Sequence, residues 1–301
     1  MSSVALYACT VAVWGSTWLA IKFQLGAVAP AVSVAWRFAL ASGVLFAIAR
    51  ARGLRLRYAP ATHAWLALHG TLMYGANYIL VYLSEQALTS GLVAVTFSLI
   101  IVFNILFLRL FFGQPVRMSA VAGAACGIAG LALLFWPDLS TFAMSPKRSL
   151  AVMYCVAATV IASLGNMSAT RNHRLRLALI PSNAWAMLYG ALFVAVCAAV
   201  DGETFSIDLS WSYLASLAYL ALFGSVVAFL CYLTLLGRIG ADRAGYSGIA
   251  IPVVAMLFSA LFEHLHWDLW IIAGMSLCLA GNLMALRTPR ALATGAAATT
   301  Q

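Results

Sequence analysis

Long apolar runs separated by short polar breaks occupy the chain from its first residues to residue 286. Each run is about 20 residues long, the length an α-helix needs to cross the hydrocarbon core of a bilayer. The runs are apolar on every face, as in helices surrounded by lipid and by other helices, whereas barrel strands would alternate and be shorter. The pattern predicts ten transmembrane helices, over about 3–22, 30–49, 64–83, 89–111, 118–136, 149–168, 182–200, 211–236, 242–262 and 268–286.

The charged residues in the polar breaks predict the orientation of these helices. With ten crossings, thirteen of the 17 Lys and Arg residues fall at one set of helix ends, and only Lys22, Lys147 and Arg148 fall at the other. Seven of the 8 acidic residues show the opposite distribution. Cytoplasmic loops are enriched in Lys and Arg, so we expect both termini to be cytoplasmic. This partition also accounts for the net charge of +9, and no nucleic-acid partner is expected.

The composition agrees with an all-α integral membrane protein. Hydrophobic residues make up 64% of the chain and charged residues only 8%, against roughly 25% charged residues in a soluble domain. All 6 cysteines lie in apolar runs and none forms a CxxC pair, so neither a disulfide framework nor a zinc site is expected. The residues preceding the first run carry no basic side chain, so that run is expected to be a retained helix. We predict no metal and no cofactor.

An internal repeat with a period near 150 residues connects the two halves of the chain. Gly123 and Gly130 in the fifth predicted helix correspond to Gly274 and Gly281 in the tenth, at an offset of 151 residues. Five helices is an odd number, so the second copy should enter the membrane inverted, and inverted repeats are typical of transporters that bind substrate between the two halves. The predicted units are a first repeat at 1–140, a second repeat at 141–290 and a flexible cytoplasmic tail at 291–301.

Several short segments resemble a known transporter repeat. They are Trp14-Gly15-Ser16-Thr17-Trp18, Arg37-Phe38, Ala87-Leu88 and the Gly-x6-Gly of the fifth and tenth helices. Together they resemble the EamA repeat of the drug/metabolite transporter superfamily. The resemblance implies a ten-helix exporter of small metabolites in the cell inner membrane. It is greatest to YddG-type exporters of aromatic and other neutral amino acids. The second repeat departs from the pattern, since no Trp-Gly begins its first helix and its second helix lacks the arginine.

Arg37 is the one basic residue well inside a predicted helix. Charges within a membrane are costly and usually face a cavity or a partner. One hypothesis is that Arg37 captures the carboxylate of a substrate. The alternative is that it pairs with Glu85 or Glu263 at the outer rim, or caps helix carbonyls.

Aromatic and amide side chains within the predicted helices are the candidates for substrate binding, because buried amides need partners and aromatic faces can stack on a side chain or hold an ammonium group. Tyr78 and Tyr82 are one turn apart and share a helix face. Pro252, with Gly248 nearby, interrupts a helix and is a candidate gating hinge. The predicted substrate-binding residues are Trp14, Trp18, Asn77, Tyr78, Tyr82, Asn166, Tyr232 and Tyr246.

Enzymatic alternatives are weaker. The segment 245–248 matches the GxSG of intramembrane serine proteases, but the histidines that follow it, His264 and His266, belong to the opposite end of the helix. Residues 263–268 contain Glu, His and Asp side chains that could bind a metal at the surface, although a short polar loop accounts for them better. The chain contains neither an HExxH nor a P-loop pattern.

The sequence therefore predicts a secondary transporter that exports small zwitterionic metabolites, chiefly large neutral amino acids, as a monomer or weak homodimer. The alternatives are a drug, nucleotide-sugar or sugar-phosphate exporter of the same superfamily and, from a different class, an intramembrane enzyme. A sugar phosphate would require several intramembrane cations and a cationic drug an intramembrane carboxylate. Because all 8 carboxylates fall at predicted helix ends or in loops, facilitated diffusion is expected in place of proton coupling.

Overall fold

The structure is a computed structural model that describes residues 1–137, 145–232, 234–235, 238 and 247–286. Within these ranges the chain is helical and contains no strand. Its α-helices are α1 Ser3–Lys22, α2 Pro30–Ala51, α3 Pro60–Gly70, α4 Asn77–Glu85, α5 Ser90–Phe97, α6 Ile100–Phe112, α7 Met118–Leu134, α8 Pro146–Arg174, α9 Leu179–Val200, α10 Trp211–Tyr219, α11 Ser247–Phe262 and α12 Leu269–Leu286. Two π-helical segments, π1 Thr71–Ala76 and π2 Leu220–Val227, follow α3 and α10.

Within the described residues, seven continuous helical stretches are long and apolar enough to cross a membrane. Met118–Leu134 and Ser247–Phe262 are apolar but shorter, and the third predicted span is divided by π1. The all-α prediction agrees with the described residues, while the count of ten membrane crossings stays a prediction. Helix α8 runs six residues beyond its predicted end at 168. Its last turns are held by Arg171, which lies 3.9 Å above the ring of Trp65, and by Arg174, which stacks on Phe112 at 4.2 Å.

Local sequence explains where the helices begin and end. Pro30, Pro60 and Pro146 occupy the first helical position, where the missing N–H costs nothing. The side chain of Ser145 accepts a hydrogen bond from the N–H of Arg148 and caps α8. These polar caps coincide with the breaks between apolar runs.

The two π-helical segments recur at the same place in the two halves. Thr71–Ala76 and Leu220–Val227 are separated by about 150 residues, the period seen in the sequence. A π-helical turn widens the helix and leaves carbonyl groups without their usual partners, and such turns often mark functional sites. Both segments contribute to the site described below.

Helices α7 and α12 pack with their backbones in contact. A Cβ placed on Gly123 or Gly130 would lie within 3 Å of backbone atoms of Gly281 or Gly274, respectively. Rising residue number along α7 meets falling number along α12, so the two helices are antiparallel. The small residues that the repeat pattern singled out thus hold the two halves of one chain together.

We predict that positions 55 and 203 face opposite sides of the membrane. In a variant without native cysteines, Glu203→Cys should react with an impermeant maleimide added to intact cells, and Arg55→Cys should react only after permeabilisation. Both side chains are exposed, and the neighbouring Gly53 and Gly202 have φ of 63° and 73° that other residues rarely adopt. Labelling of both positions in intact cells would refute the ten-span topology.

Candidate functional site

A cavity of about 550 Å³ lies among helices from both halves of the chain. Its size falls in the range typical of small-molecule sites. Ile21 and Val81 line it at one end, and Leu108 and Leu286, close to the ends of α6 and α12, line it at the other. The cavity therefore runs from near the C-terminal end of α1 toward the ends at which α6 and α12 finish.

Most of the predicted site residues line this cavity. Those that do are Trp14, Trp18, Arg37, Asn77, Tyr78, Asn166, Tyr232, Gly248 and Pro252. Their roles in binding or gating stay predictions. Tyr246 lies outside the described residues.

The structure corrects the placement of Tyr82. Its side chain is fully buried, and its hydroxyl group donates a hydrogen bond to Oε1 of Gln24 at 2.6 Å. It does not line the cavity, whose lining on this helix ends at Val81. One helical turn carries Tyr82 past the end of the cavity, into the packing between α4 and the C-terminal end of α1. We therefore assign Tyr78, and not Tyr82, to the cavity wall.

Arg37 is the only charged side chain among the described residues that line the cavity, and it is 1% exposed. Its Nε donates to Oγ of Ser225 at 3.3 Å, and its guanidinium lies 4.6 Å from the ring centroid of Tyr78 and 5.2 Å from that of Phe38. Within the described ranges its Nη1 has no hydrogen-bond partner and Arg37 forms no ion pair, so the alternative pairing with Glu85 or Glu263 is absent there.

The π2 segment provides the contacts that position the guanidinium group of Arg37. Ser225 donates its hydroxyl to the carbonyl of Leu220, five residues earlier, as π-helical geometry permits. Gly224 lies against the guanidinium, since a Cβ there would meet Nη2 of Arg37 at 3.4 Å. The carbonyl of Gly224 accepts a hydrogen bond from Nε1 of Trp14 at 3.1 Å. Ser225 is a site residue that sequence reasoning missed, because nothing in an apolar run marks a π-helical turn.

Aromatic rings form much of the remaining wall. Trp14 packs against Phe229 at 5.1 Å and Tyr232 at 5.3 Å between ring centroids, and Trp18 packs against Phe97 at 5.3 Å. These rings leave apolar and π surfaces facing the cavity, which suit a planar or bulky apolar group.

Amide side chains supply the polar positions in the cavity. The Oδ1 of Asn104 accepts hydrogen bonds from Nδ2 of Asn166 at 3.1 Å and from Ser163 at 2.8 Å. Asn77 donates to the carbonyl of Met73, and its Oδ1 has no partner. The Oδ1 of Asn77 is thus an available hydrogen-bond acceptor at a cavity whose described lining carries one positive charge. It can accept a hydrogen bond from an N–H group of a ligand.

Pro252 and Gly248 lie at the cavity on α11. Proline has no N–H, so the carbonyl four residues earlier, that of Gly248, loses its helical partner. This places a weak point of the helix at the cavity itself, where a hinge would act on the bound ligand.

The opposite end of the bundle is closed by a polar contact between helix ends. Lys22, at the end of α1, lies 3.5 Å from Oε1 of Glu263, which follows α11. Lys22 also donates to the carbonyl oxygens of Glu85 and Leu88, the latter at 2.6 Å. The Glu263 carboxylate accepts hydrogen bonds from the N–H and the hydroxyl of Ser90 at the start of α5. We call this set, Lys22, Glu263 and Ser90, the end clasp.

Two expectations about acidic residues change with this arrangement. Glu263 belongs to the end clasp, and Asp268 caps α12 by accepting from the N–H of Ile271 at 2.7 Å. Among the described residues no group of His, Cys, Asp or Glu side chains is arranged to hold a metal ion, and the absence of a metal stays a prediction. Glu85, expected at a solvent-exposed helix end, is only 1% exposed.

We predict that Tyr78 and Tyr82 respond differently to substitution. Tyr78→Ala should slow transport of the predicted substrate several-fold, because it removes a cavity wall and the ring beneath Arg37. The main effect of Tyr82→Phe should be a free energy of unfolding lower by about 1 kcal/mol, the usual contribution of one hydrogen bond. Initial transport rates in liposomes and unfolding in detergent check both. Equal transport loss in both variants would contradict the assignment.

Comparison with known proteins agrees with the resemblance seen in the sequence. The model of the EamA-like transporter family matches residues 1–136 and again residues 149–287. The chain is 28% identical over 255 residues to the "Uncharacterized inner membrane transporter YedA" of Escherichia coli K12, covering 84% of this chain and 80% of that protein. It is 24% identical over 288 residues to an "Uncharacterized transporter" of Archaeoglobus fulgidus, covering 95% and 99% of the two chains.

A third relative and one solved structure extend the comparison. The chain is 25% identical over 260 residues to the "Probable amino-acid metabolite efflux pump" of Escherichia coli K12, covering 83% of each protein. A crystal structure superposes with a TM-score of 0.68 at 21% sequence identity, covering 94% of this chain and 96% of the other. That structure shows a shared fold.

Proposed function

Because this chain belongs to the EamA-like transporter family, we propose that it exports small zwitterionic metabolites, chiefly aromatic and other large neutral amino acids. The two matched halves would act as inverted repeats that alternate access to the cavity. The inner membrane is the proposed location, as the name of its relative YedA indicates for that protein.

The observation that carries the proposal is the unpaired guanidinium of Arg37 in an aromatic cavity. A buried cation without a counter-ion is unfavourable, and a ligand carboxylate would supply the missing charge with strong hydrogen bonds. Nη1 is the donor without a partner, and Tyr78 holds the guanidinium plane from below.

The rest of the cavity fits the remainder of such a molecule. Asn77 offers a free acceptor for the ammonium group, and the aromatic rings also attract a cation. Trp18 and Phe97 can pack on a large apolar side chain. One fixed charge suits a carboxylate better than a phosphate, which favours several cations, and the described lining offers no carboxylate for a cationic drug.

The name of one relative supports the same substrate class. The Escherichia coli protein named as an amino-acid metabolite efflux pump covers 83% of this chain. With the predicted orientation, the end clasp lies at the outer side and the cavity extends toward the cytoplasm. This arrangement would accept substrate from inside the cell.

Counterflow in liposomes tests the proposal. Vesicles preloaded with unlabelled phenylalanine should take up labelled phenylalanine faster than empty vesicles, whereas vesicles preloaded with lysine or glucose 6-phosphate should not. Protein-free vesicles provide the baseline. Stimulation by glucose 6-phosphate and not by phenylalanine would replace the proposed substrate with a phosphorylated one.

A further inference from the structure

We propose that Glu85 is a buried proton-binding site, separated from one side of the membrane by the end clasp, and that it couples transport to proton movement. The coupling, though not the proton site, rests on the proposed amino-acid export. Proton coupling at Glu85 would replace the expected facilitated diffusion. That expectation assumed that every carboxylate lies at a helix end or in a loop, in contact with solvent.

The surroundings of Glu85 require a proton on its side chain. Glu85 is 1% exposed, and among the described residues neither Oε1 nor Oε2 has a hydrogen-bond partner. An ionised carboxylate buried without partners is strongly unfavourable, and such a group avoids the penalty by taking up a proton. A neutral carboxyl group is therefore the form that this conformation accepts.

The charged groups near Glu85 are already engaged. Lys22, on α1, donates to the carbonyls of Glu85 and Leu88 and lies 3.5 Å from Glu263. Lys22 and Arg37 attract the ionised form of Glu85 and Glu263, after α11, repels it, but within the described residues neither cation forms a hydrogen bond with its carboxyl oxygens. Arg37, on α2, is turned toward Ser225.

The remaining titratable neighbours are neutral in ordinary conditions. Cys155 on α8 donates its thiol to the carbonyl of Val93, and Tyr82 on α4 donates to Gln24. None of these groups supplies a positive charge that could hold Glu85 ionised.

A line of side chains connects Glu85 to the cavity. Tyr78, Tyr82 and Glu85 are spaced i, i+4 and i+7 on α4 and share one face of the helix. Tyr78 lines the cavity, while Tyr82 is an electrostatic neighbour of both Arg37 and Glu85. A change of charge at Glu85 therefore changes the electrostatic potential at Arg37, the residue proposed to bind the substrate carboxylate.

The end clasp supplies the gate. When Lys22 and Glu263 separate, water reaches Glu85, and the carboxyl group can exchange its proton with the solution on that side. When the clasp closes, the carboxylate must carry one proton to be buried again. To complete the cycle, Glu85 releases this proton toward the cavity, from which it reaches the solution on the opposite side. One proton then moves inward for each substrate molecule moved outward, and no other reactant is needed.

Infrared spectroscopy of the purified protein tests the proton site without any substrate. At about pH 7 exposed carboxyl groups are ionised, so a C=O stretching band of a protonated carboxyl group reports a buried one. We expect this band in the wild type, its loss in Glu85→Gln, and its retention in Glu203→Gln, a matched change at an exposed loop residue. Absence of the band in the wild type, or its persistence in Glu85→Gln, would overturn the proposal.

Transport tests the coupling. In liposomes with an imposed pH gradient and a clamped membrane potential, the wild type and Glu203→Gln should accumulate phenylalanine several-fold above equilibrium, and Glu85→Gln should lose this accumulation. Glutamine resembles the neutral carboxyl group, so the variant should unfold at the wild-type temperature. Uphill accumulation by Glu85→Gln, or none by a wild type active in counterflow, would overturn the coupling. A wild type inactive in counterflow overturns the proposed substrate, while the infrared band decides the proton site.

Discussion

Arg37→Gln is expected to lower phenylalanine transport at substrate concentrations below saturation by at least about tenfold. A hydrogen bond to a charged group contributes about 1.5–3 kcal/mol, and about 1.4 kcal/mol corresponds to a tenfold change in affinity. The variant should fold, because Arg37 forms no ion pair within the described residues and its removal leaves no carboxylate stranded there. Concentration-dependent counterflow measures the change as a rise in KM.

Two further variants make this result specific. Arg37→Lys keeps the charge but loses the planar fork and its stacking on Tyr78, so it should be intermediate. Arg55→Gln removes a charge from an exposed loop residue and should transport as the wild type does. Unchanged KM in Arg37→Gln would remove the carboxylate contact from the proposed function.

Gly274→Ala is expected to destabilise the protein by about 3 kcal/mol, at the upper end of the range for overpacking. A Cβ at this position would lie 2.7 Å from the carbonyl oxygen of Gly130 and from the backbone nitrogen of Leu134. Because both neighbours are backbone atoms, α7 and α12 must move apart and lose packing along the contact.

The control for this prediction is Gly43→Ala, another glycine within a helix. Apart from its chain neighbours and the backbone of its own helix, no atom of the described residues lies within 4 Å of a Cβ at Gly43, so alanine there should be neutral or stabilising by about 0.5–1 kcal/mol. Thermal unfolding in detergent should give a clearly lower Tm for Gly274→Ala than for Gly43→Ala. Equal Tm values would show that the helices can separate at little cost.

The candidate site was only partly predictable from sequence. Aromatic and amide side chains in the middle of apolar runs are recognisable candidates, because contact with lipid does not favour their polar groups. Trp14, Asn77 and Tyr78 do line the cavity. Tyr82 is also an aromatic residue within an apolar run, but its hydroxyl group bonds Gln24 and its side chain does not line the cavity. Periodicity identifies a shared face but not the point along the helix at which the cavity ends.

By itself, the sequence determined the membrane class, the helical content and the repeat, because apolar length and glycine spacing are local properties that lipid and close helix packing require. It also determined membership of the EamA-like family. The tertiary structure alone decided which charges meet. Among the described residues, Lys22 pairs with Glu263, Arg37 forms no ion pair, and the side-chain oxygens of Glu85 are buried without a hydrogen-bond partner. These outcomes depend on how helix ends from distant parts of the chain pack together, and no local pattern contains that information.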